Sequence, residues 1–178
     1  MIVILSDDRE QTISLTLRDH FLELNEVVCY HALEDKQIQS CLACGSCSSK
    51  TLGHCVLPDD MQPILKDLAR ADVWILISPI VFGSFSSRMK TAQERMSSLG
   101  DPLYYVNEGE LVKGMRSKMH FYALGISSED NRAEEEAFCR LHQENLKIMN
   151  CLGDTFILSS QPSEEELRRI VEVIQRVK

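Results

Sequence analysis

The chain has no long uninterrupted hydrophobic run. Its longest uncharged stretch, residues 73–87, is interrupted by Pro79 and Gly83 and falls short of the roughly 20 apolar residues that a membrane helix needs. The N-terminus turns acidic at Asp7 and Asp8 and has no basic flank ahead of an apolar segment, which is unlike a secretory signal. We therefore expect no membrane partner and a cytoplasmic location.

Basic residues are in the minority. The 178 residues include 19 Lys and Arg against 27 Asp and Glu, which gives a formal net charge of -8 at pH 7. This balance disfavours nonspecific attraction to nucleic acid or anionic membranes, so we expect small molecules or proteins as partners.

The sequence also has no repeats, no low-complexity segments and no linkers rich in Gly, Ser or Pro. The length suits one core, and we predict a single domain over residues 1–178.

Short apolar runs alternate with helical periodicities along the chain. Five runs are strand-like and bounded by polar or turn residues, namely 2–5, 27–30, 73–77, 121–124 and 156–158. Helical stripes follow or separate them at 13–24, 61–68, 89–96, 137–148 and 167–174. This alternation predicts an α/β protein with a parallel sheet covered by helices on both faces. Five strands favour the flavodoxin-like order 2-1-3-4-5, in which a ligand binds beyond the carboxyl ends of strands 1 and 3.

Four thiols lie close together in the sequence. They follow the pattern C-x2-C-x2-C-x7-C and are Cys41, Cys44, Cys47 and Cys55. Four thiolates are the ligand set of a [4Fe-4S] cluster, although zinc also accepts four sulfurs and four free thiols are a third interpretation. An odd total of seven cysteines, without an export signal, argues against a disulfide framework. The remaining three lie in apolar segments, where we expect them to pack in the core: Cys29, Cys139 and Cys151.

Residues 78–84 follow the third strand-like run and have the composition of a ligand loop. Pro79 cannot donate to a strand ladder, so we predict that the chain turns outward there. Gly83 allows a ligand to approach the backbone, and Phe82 offers an apolar face to a planar ring. The alternative is that the segment only ends the strand and caps the next helix, with Phe82 and Phe85 in the core.

Taken as a block, these motifs resemble a known family. The cysteine pattern, residues 59–61, residues 78–84 and residues 89–95 are similar in order and spacing to the flavodoxin-like NADPH-dependent FMN reductases, specifically the iron–sulfur flavoprotein branch. The resemblance is rich in motifs over residues 40–95 and topological elsewhere. It implies FMN at the switch point of the sheet, NAD(P)H as the electron donor, and a homodimer or homotetramer.

The resemblance also implies roles for individual residues. Those facing the flavin ring would be Pro79, Ile80, Val81, Phe82, Gly83 and Ser84. The loop 40–58 would hold a [4Fe-4S] cluster through its four cysteines. In the family the first loop reads close to G-S-P-R-x-x-G-N-T and wraps the FMN phosphate, and the residues assigned to that role here are Ser6, Arg9, Thr12 and Ser14.

The first loop departs from the family pattern through its acidic residues. Asp7, Asp8 and Glu10 would repel a phosphate unless they point to solvent. Two functions therefore follow from the sequence. One is an FMN-dependent NAD(P)H oxidoreductase or electron-transfer flavoprotein, with or without a [4Fe-4S] cluster, that serves a small-molecule or protein electron acceptor. The alternative is a degenerate flavodoxin-fold protein without flavin that acts as a metal-binding or protein-interaction module.

Overall fold

A computed structural model describes residues 1–115, 118–128 and 131–176. The strands within these ranges are β1 (Ile2–Ser6), β2 (Val28–Ala32), β3 (Val73–Val81), β4 (Ser84–Phe85), β5 (Tyr105–Asn107), β6 (Glu110–Val112), β7 (His120–Ser127) and β8 (Thr155–Ser159). The helices are α1 (Thr12–Glu23), α2 (Ser46–Ser49), α3 (Met61–Leu68), α4 (Ser87–Met96), α5 (Arg132–Met149) and α6 (Glu164–Arg176), and a 3-10 turn, Ser97–Leu99, follows α4.

Five parallel strands form the main sheet in the order β2-β1-β3-β7-β8. Counted along the chain, this is the predicted order 2-1-3-4-5, so the flavodoxin-like fold class is confirmed. Ile4 pairs with Tyr30 of β2 on one side and with Ile75 of β3 on the other. The winding direction reverses between β1 and β3, and their carboxyl ends therefore border the crevice in which a ligand is expected.

Alternate residues of the buried strands supply two separate cores. Val3 and Leu5 pack on the face covered by α3, α4 and α5, whereas Ile2 and Ile4 pack on the face covered by α1 and α6. This alternation is the period of two that an extended strand imposes. Near-continuous apolar runs in the sequence are thus explained by burial on both faces.

One expectation about a loop is wrong. The chain does not turn outward at Pro79, because β3 runs on to Val81 and returns as β4 through a turn at Phe82 and Gly83. Pro79 is the last residue of β3 paired with β7, and a proline in extended conformation removes only its own donor. The stretch 100–114, which lacks a clear period, contains the antiparallel β5–β6 hairpin.

The three cysteines outside the motif are half-buried. Cys29 and Cys151 pack against the core on the α3–α5 face, as expected, while Cys139 lines a groove on α5. Burial raises the pKa of all three thiols, that of Cys151 to about 12. These raised pKa values favour the protonated thiol at neutral pH.

The last helix begins with a side-chain cap. The hydroxyl of Ser163 accepts a hydrogen bond from the Glu166 amide at 3.2 Å, as in a capping box. Across the described ranges we find no helix with the length and apolar character needed to cross a membrane.

Gly153 generates a prediction about the fold. A Cβ at this position would lie 1.7 Å from the carbonyl oxygen of Phe121, a backbone atom at the start of β7 that cannot move without disturbing the sheet. We expect Gly153→Ala to lower the free energy of unfolding by about 3 kcal/mol or more. Gly109→Ala, where φ is +85° and no atom lies within 4 Å, should cost only about 1 kcal/mol. Urea unfolding of the two variants measures both values, and equal losses would contradict this account.

Candidate functional site

All four cysteines of the motif line a single cavity. It has a volume of about 210 Å³ and lies between the segment 40–58 and the C-terminal end of α4. Cys41 and Cys44 are exposed, whereas Cys47 and Cys55 are half-buried. The structure therefore brings together the thiols that the sequence singled out, on the same side of the molecule as α3 and α4.

The local backbone explains how neighbouring cysteines share one cavity. Ala43 and Gly45 adopt left-handed conformations, with φ of +49° and +67°, and so turn the chain back on itself between Cys41 and Cys47. The short helix α2 follows, and the Gly53 amide closes its far side by donating to the carbonyl of Cys47 at 2.8 Å. Alanine in this conformation is strained, which indicates that the rest of the segment imposes the turn.

Arg95 anchors the cysteine segment to α4. Its guanidinium is 1% exposed and binds Asp59 through two hydrogen bonds, Nη1–Oδ2 at 2.7 Å and Nη2–Oδ1 at 3.1 Å. Nη1 also donates to the carbonyl of Gln39 at 2.8 Å, and Nε donates to Sγ of Cys55 at 3.2 Å. One side chain thereby holds both ends of the segment, in the paired geometry that favours arginine over lysine.

Asp59 and Cys44 both have lowered pKa values, for different reasons. Burial alone would raise the pKa of Asp59, but hydrogen bonds from Arg95 and from the amides of Gln39 and Met61 outweigh it and lower that pKa. Hydrogen bonding with the hydroxyl and amide of Ser46 lowers the pKa of Cys44. This direction is opposite to that of the core cysteines and favours the thiolate that a metal requires.

The two metals that the sequence left open need different ligand spacings. Around zinc the four sulfurs would lie about 3.8 Å apart, whereas each iron of a cubane takes one cysteine and the sulfurs lie farther apart. Among the described residues, no three His, Cys, Asp or Glu side chains gather around one ion position. The donor set of the cavity, four cysteine sulfurs, suits either metal.

Cations also border the cavity. Besides Arg95, Lys113 lines it, with Nζ 3.0 Å from the carbonyl of Ser97 and 5.8 Å from the centre of the Tyr104 ring. Nearby cations favour the charged thiolate form of cysteine. Arg95 and Asp59 both belong to the motif block found in the sequence, at residues 89–95 and 59–61, but their pairing was not predicted.

The second part of the site is the crevice between the β1–α1 loop and the β3–β4 hairpin. Asp8 occupies the N-terminus of α1, where its Oδ2 accepts hydrogen bonds from the amides of Ile13 at 3.0 Å and Ser14 at 3.4 Å. Ser6 fixes this arrangement, since its Oγ accepts from the Asp8 amide at 3.1 Å. The donors expected to bind a phosphate therefore already bind a carboxylate.

The other residues assigned to the phosphate have neighbours of their own. The Ser14 hydroxyl is buried between the Gln11 carbonyl at 3.2 Å and the Tyr30 hydroxyl at 3.1 Å. Thr12 is exposed, and its hydroxyl donates to the Glu10 carbonyl at 3.4 Å. Arg9 is exposed at the rim of the loop. The phosphate end of the crevice consequently does not fit the group that the resemblance implies.

Asp7 ties the two loops together. Its buried carboxylate accepts hydrogen bonds from the Ser86 hydroxyl and from Arg88 Nη1. Ser86 also caps α4 by accepting from the Met89 amide at 3.1 Å, and its own amide donates to Ser78 Oγ at 2.9 Å. Asp7 and Asp8 thus neither face solvent nor stand unpaired beside an anion site, the two outcomes considered from the sequence.

The β3–β4 hairpin presents one aromatic side chain to solvent. Phe82 is 93% exposed and has a φ of +50°, whereas Phe85 is buried as the alternative interpretation expected. A Cβ at Gly83 would lie 2.7 Å from Cβ of Ala137, so this glycine permits contact with α5. The remaining residues assigned to the flavin ring are half-buried or exposed around this turn: Pro79, Ile80, Val81 and Ser84.

This fold and site define a class of protein. A five-stranded parallel sheet with its switch point at β1 and β3 is a flavodoxin-like architecture, and this chain adds a cavity lined by four cysteines. Residues 2–114 match the family described as NADPH-dependent FMN reductase. The chain belongs to that family, which confirms the resemblance seen in the sequence.

Individual relatives point in the same direction. Iron-sulfur flavoprotein MJ1083 of Methanocaldococcus jannaschii is 37% identical over 68 residues, which are 38% of this chain and 34% of that protein. Iron-sulfur flavoprotein MJ0731 of the same organism is 30% identical over 124 residues, 70% of this chain and 58% of that protein. The chain thus matches between a third and three fifths of the length of these relatives.

Solved structures share the fold at low identity. An FMN-dependent NADH-azoreductase from Bacillus anthracis, in complex with FMN, has a TM-score of 0.63 at 13% identity, with 99% of this chain and 98% of that chain covered. Azoreductase AzrA has a TM-score of 0.62 at 14% identity, with 98% and 93% covered. At this identity the likeness concerns the fold alone.

The Asp59–Arg95 pair generates a prediction. Asp59→Asn leaves the buried guanidinium without its counter-charge, and we expect the free energy of unfolding to fall by about 3 kcal/mol at neutral pH. Glu164→Gln, which breaks an exposed pair with Arg168, should change it by less than about 0.5 kcal/mol.

The loss of unfolding free energy in Asp59→Asn should become smaller as the pH falls. The pKa of Asp59 is lowered in the folded state, so its contribution is fully present above the unfolded-state value of about 4. It disappears as the pH falls through the folded value. Chemical unfolding at several pH values should show a constant difference between the native chain and Asp59→Asn at neutral pH and a shrinking one below about pH 4; a difference that grows in acid would refute the assignment.

Proposed function

We propose that this chain is an electron-transfer protein that takes electrons from NAD(P)H and delivers them to a small-molecule or protein acceptor. In this proposal Cys41, Cys44, Cys47 and Cys55 hold a [4Fe-4S] cluster. The observation that carries it is the single cavity that all four thiols line. A bound cluster would supply one-electron transfer, and the chain supplies ligands and compensating charge.

The electrostatics of the cavity support the cluster. Arg95 contacts the sulfur of Cys55 directly and Lys113 lines the same space, while the pKa of Cys44 is lowered. The three cysteines elsewhere have raised pKa values. Cys44 therefore differs in the direction of its pKa shift from the three cysteines outside the cavity.

We further propose that a flavin ring rests against the β3–β4 hairpin. Membership of the family and the position of the hairpin at the β1–β3 switch point support this step. Phe82 and Val81 are the exposed apolar side chains of the turn and would contact the ring. Hydride transfer from NAD(P)H is the chemistry that a bound flavin supplies.

A second candidate function is favoured by one observation. Asp8 fills the N-terminus of α1, which suits a flavodoxin-fold protein that binds metal or a protein partner and carries no flavin. Anaerobic preparations distinguish the two candidates, since flavin titration of iron-loaded protein gives saturable binding only under the first.

Cys44→Ala tests the cluster. Removing one of four ligands should lower iron and acid-labile sulfide, measured in anaerobically reconstituted protein, by about tenfold relative to the native chain. Cys139→Ala is the matched control, because this cysteine is half-buried outside the cavity, and its iron content should be unchanged. Unaltered iron in Cys44→Ala, or one zinc bound in place of iron, would rule out the cluster.

Phe82→Ala tests the flavin ring position. Because this side chain is 93% exposed, its removal should change the free energy of unfolding by less than about 0.5 kcal/mol. Loss of a stacking surface should weaken riboflavin and FMN binding about three- to tenfold in fluorescence-quenching titrations. Leu152→Ala, an exposed residue bridged to the opposite, amino end of β7, should leave both affinities unchanged; equal effects of the two substitutions would place the flavin elsewhere.

A further inference from the structure

The Asp8 carboxylate occupies the N-terminus of α1, where an anion would otherwise bind. A helix start presents free amide donors and the positive end of the helix dipole, and these are what a phosphate uses. Here the Asp8 carboxylate bonds two of the first-turn amides, those of Ile13 and Ser14. The same oxygen, Oδ2, accepts both bonds, which is the role that a phosphate oxygen would take.

The loop that carries Asp8 is held in place from both sides. The Asp7 amide extends the β1–β3 ladder by donating to the Ile77 carbonyl at 2.8 Å, and the Gln11 amide donates back to the Asp8 carbonyl at 3.0 Å. Asp7 adds its buried contacts with Ser86 and Arg88. These contacts fix the backbone of the loop, and the Asp8 carboxylate is held by the amides of Ile13 and Ser14.

Nearby cations do not offset the acidic residues. Arg88 is already paired with Asp7, and its position is set by that contact. Arg9 is exposed and is flanked by Asp8 and Glu10. A phosphate placed here would meet carboxylates from Asp7 and Asp8 at the end of the crevice where its charge most needs donors.

We infer that Asp8 is a built-in substitute for the cofactor phosphate, so that the switch-point crevice accepts an uncharged flavin of the riboflavin class and gains nothing from the phosphate of FMN. This inference rests on the proposed flavin site and specifies its ligand. The isoalloxazine ring is common to both molecules, and the contacts around Phe82 do not distinguish them. The preference between riboflavin and FMN is therefore decided at the N-terminus of α1 alone.

The experiment compares riboflavin and FMN in fluorescence-quenching titrations of the full chain. In the native protein we expect a dissociation constant for FMN that is equal to or larger than that for riboflavin. Asp8→Ser frees the amides of Ile13 and Ser14 and should tighten FMN binding about tenfold or more, while riboflavin binding changes less than about threefold. Asp8→Asn, which keeps an oxygen acceptor for the cap, should give a smaller gain for FMN.

The control variant, Glu10→Gln, separates the effect of freeing the amide donors from the effect of removing one negative charge. Glu10→Gln removes one exposed carboxylate two residues away and frees no amide donor, so its FMN affinity should match that of the native chain. A native preference for FMN of tenfold or more, or no gain for FMN in Asp8→Ser, overturns the inference. Absence of binding by both flavins to every variant overturns it together with the flavin part of the proposed function, while the iron and sulfide content reports on the cluster separately.

Discussion

The buried pair of Arg95 and Asp59 is the interaction on which the site depends. The segment 40–58 has little regular structure of its own, and its backbone would have no fixed course without a partner inside the protein. Arg95 supplies that partner by binding the carbonyl of Gln39, the carboxylate of Asp59 and the sulfur of Cys55. Because a buried guanidinium is stable only when its charge and donors are satisfied, the same bonds that neutralise Arg95 also hold both ends of the segment that carries the cysteines.

Helix α4 connects the two parts of the site. Its cap, Ser86, contacts Asp7 at the crevice, and Arg95 near its other end contacts the cysteine segment. Ten helical residues span about 15 Å. Met89 and Ala92 bury the inward face of the helix against the sheet, so the crevice and the cavity are positioned relative to each other by a single packed element.

Much of the fold was predictable because it is encoded locally. The apolar runs of β1, β3 and β7 and the stripes of the helices have clear periods, and Ser163 marks a helix start by its own chemistry. The site was predictable only as far as the spacing of its cysteines. Asp7 binds Ser86 and Arg88, which lie about eighty positions away in the sequence. No local pattern predicts that an acidic loop residue will point inward. The extension of β3 beyond Pro79 was missed for a related reason, since its partner there is the returning hairpin.

The anchoring of the cysteine segment bears on how such a protein matures. In small zinc domains the metal supplies the folding energy, so chain and metal assemble together. Here a packed core and the Arg95–Asp59 pair hold the segment through protein contacts, and Cys41 and Cys44 face solvent at the mouth of the cavity. Under the proposed function, folding and metal loading would be separable events, because protein contacts already place the segment and the exposed thiols remain accessible from the surface.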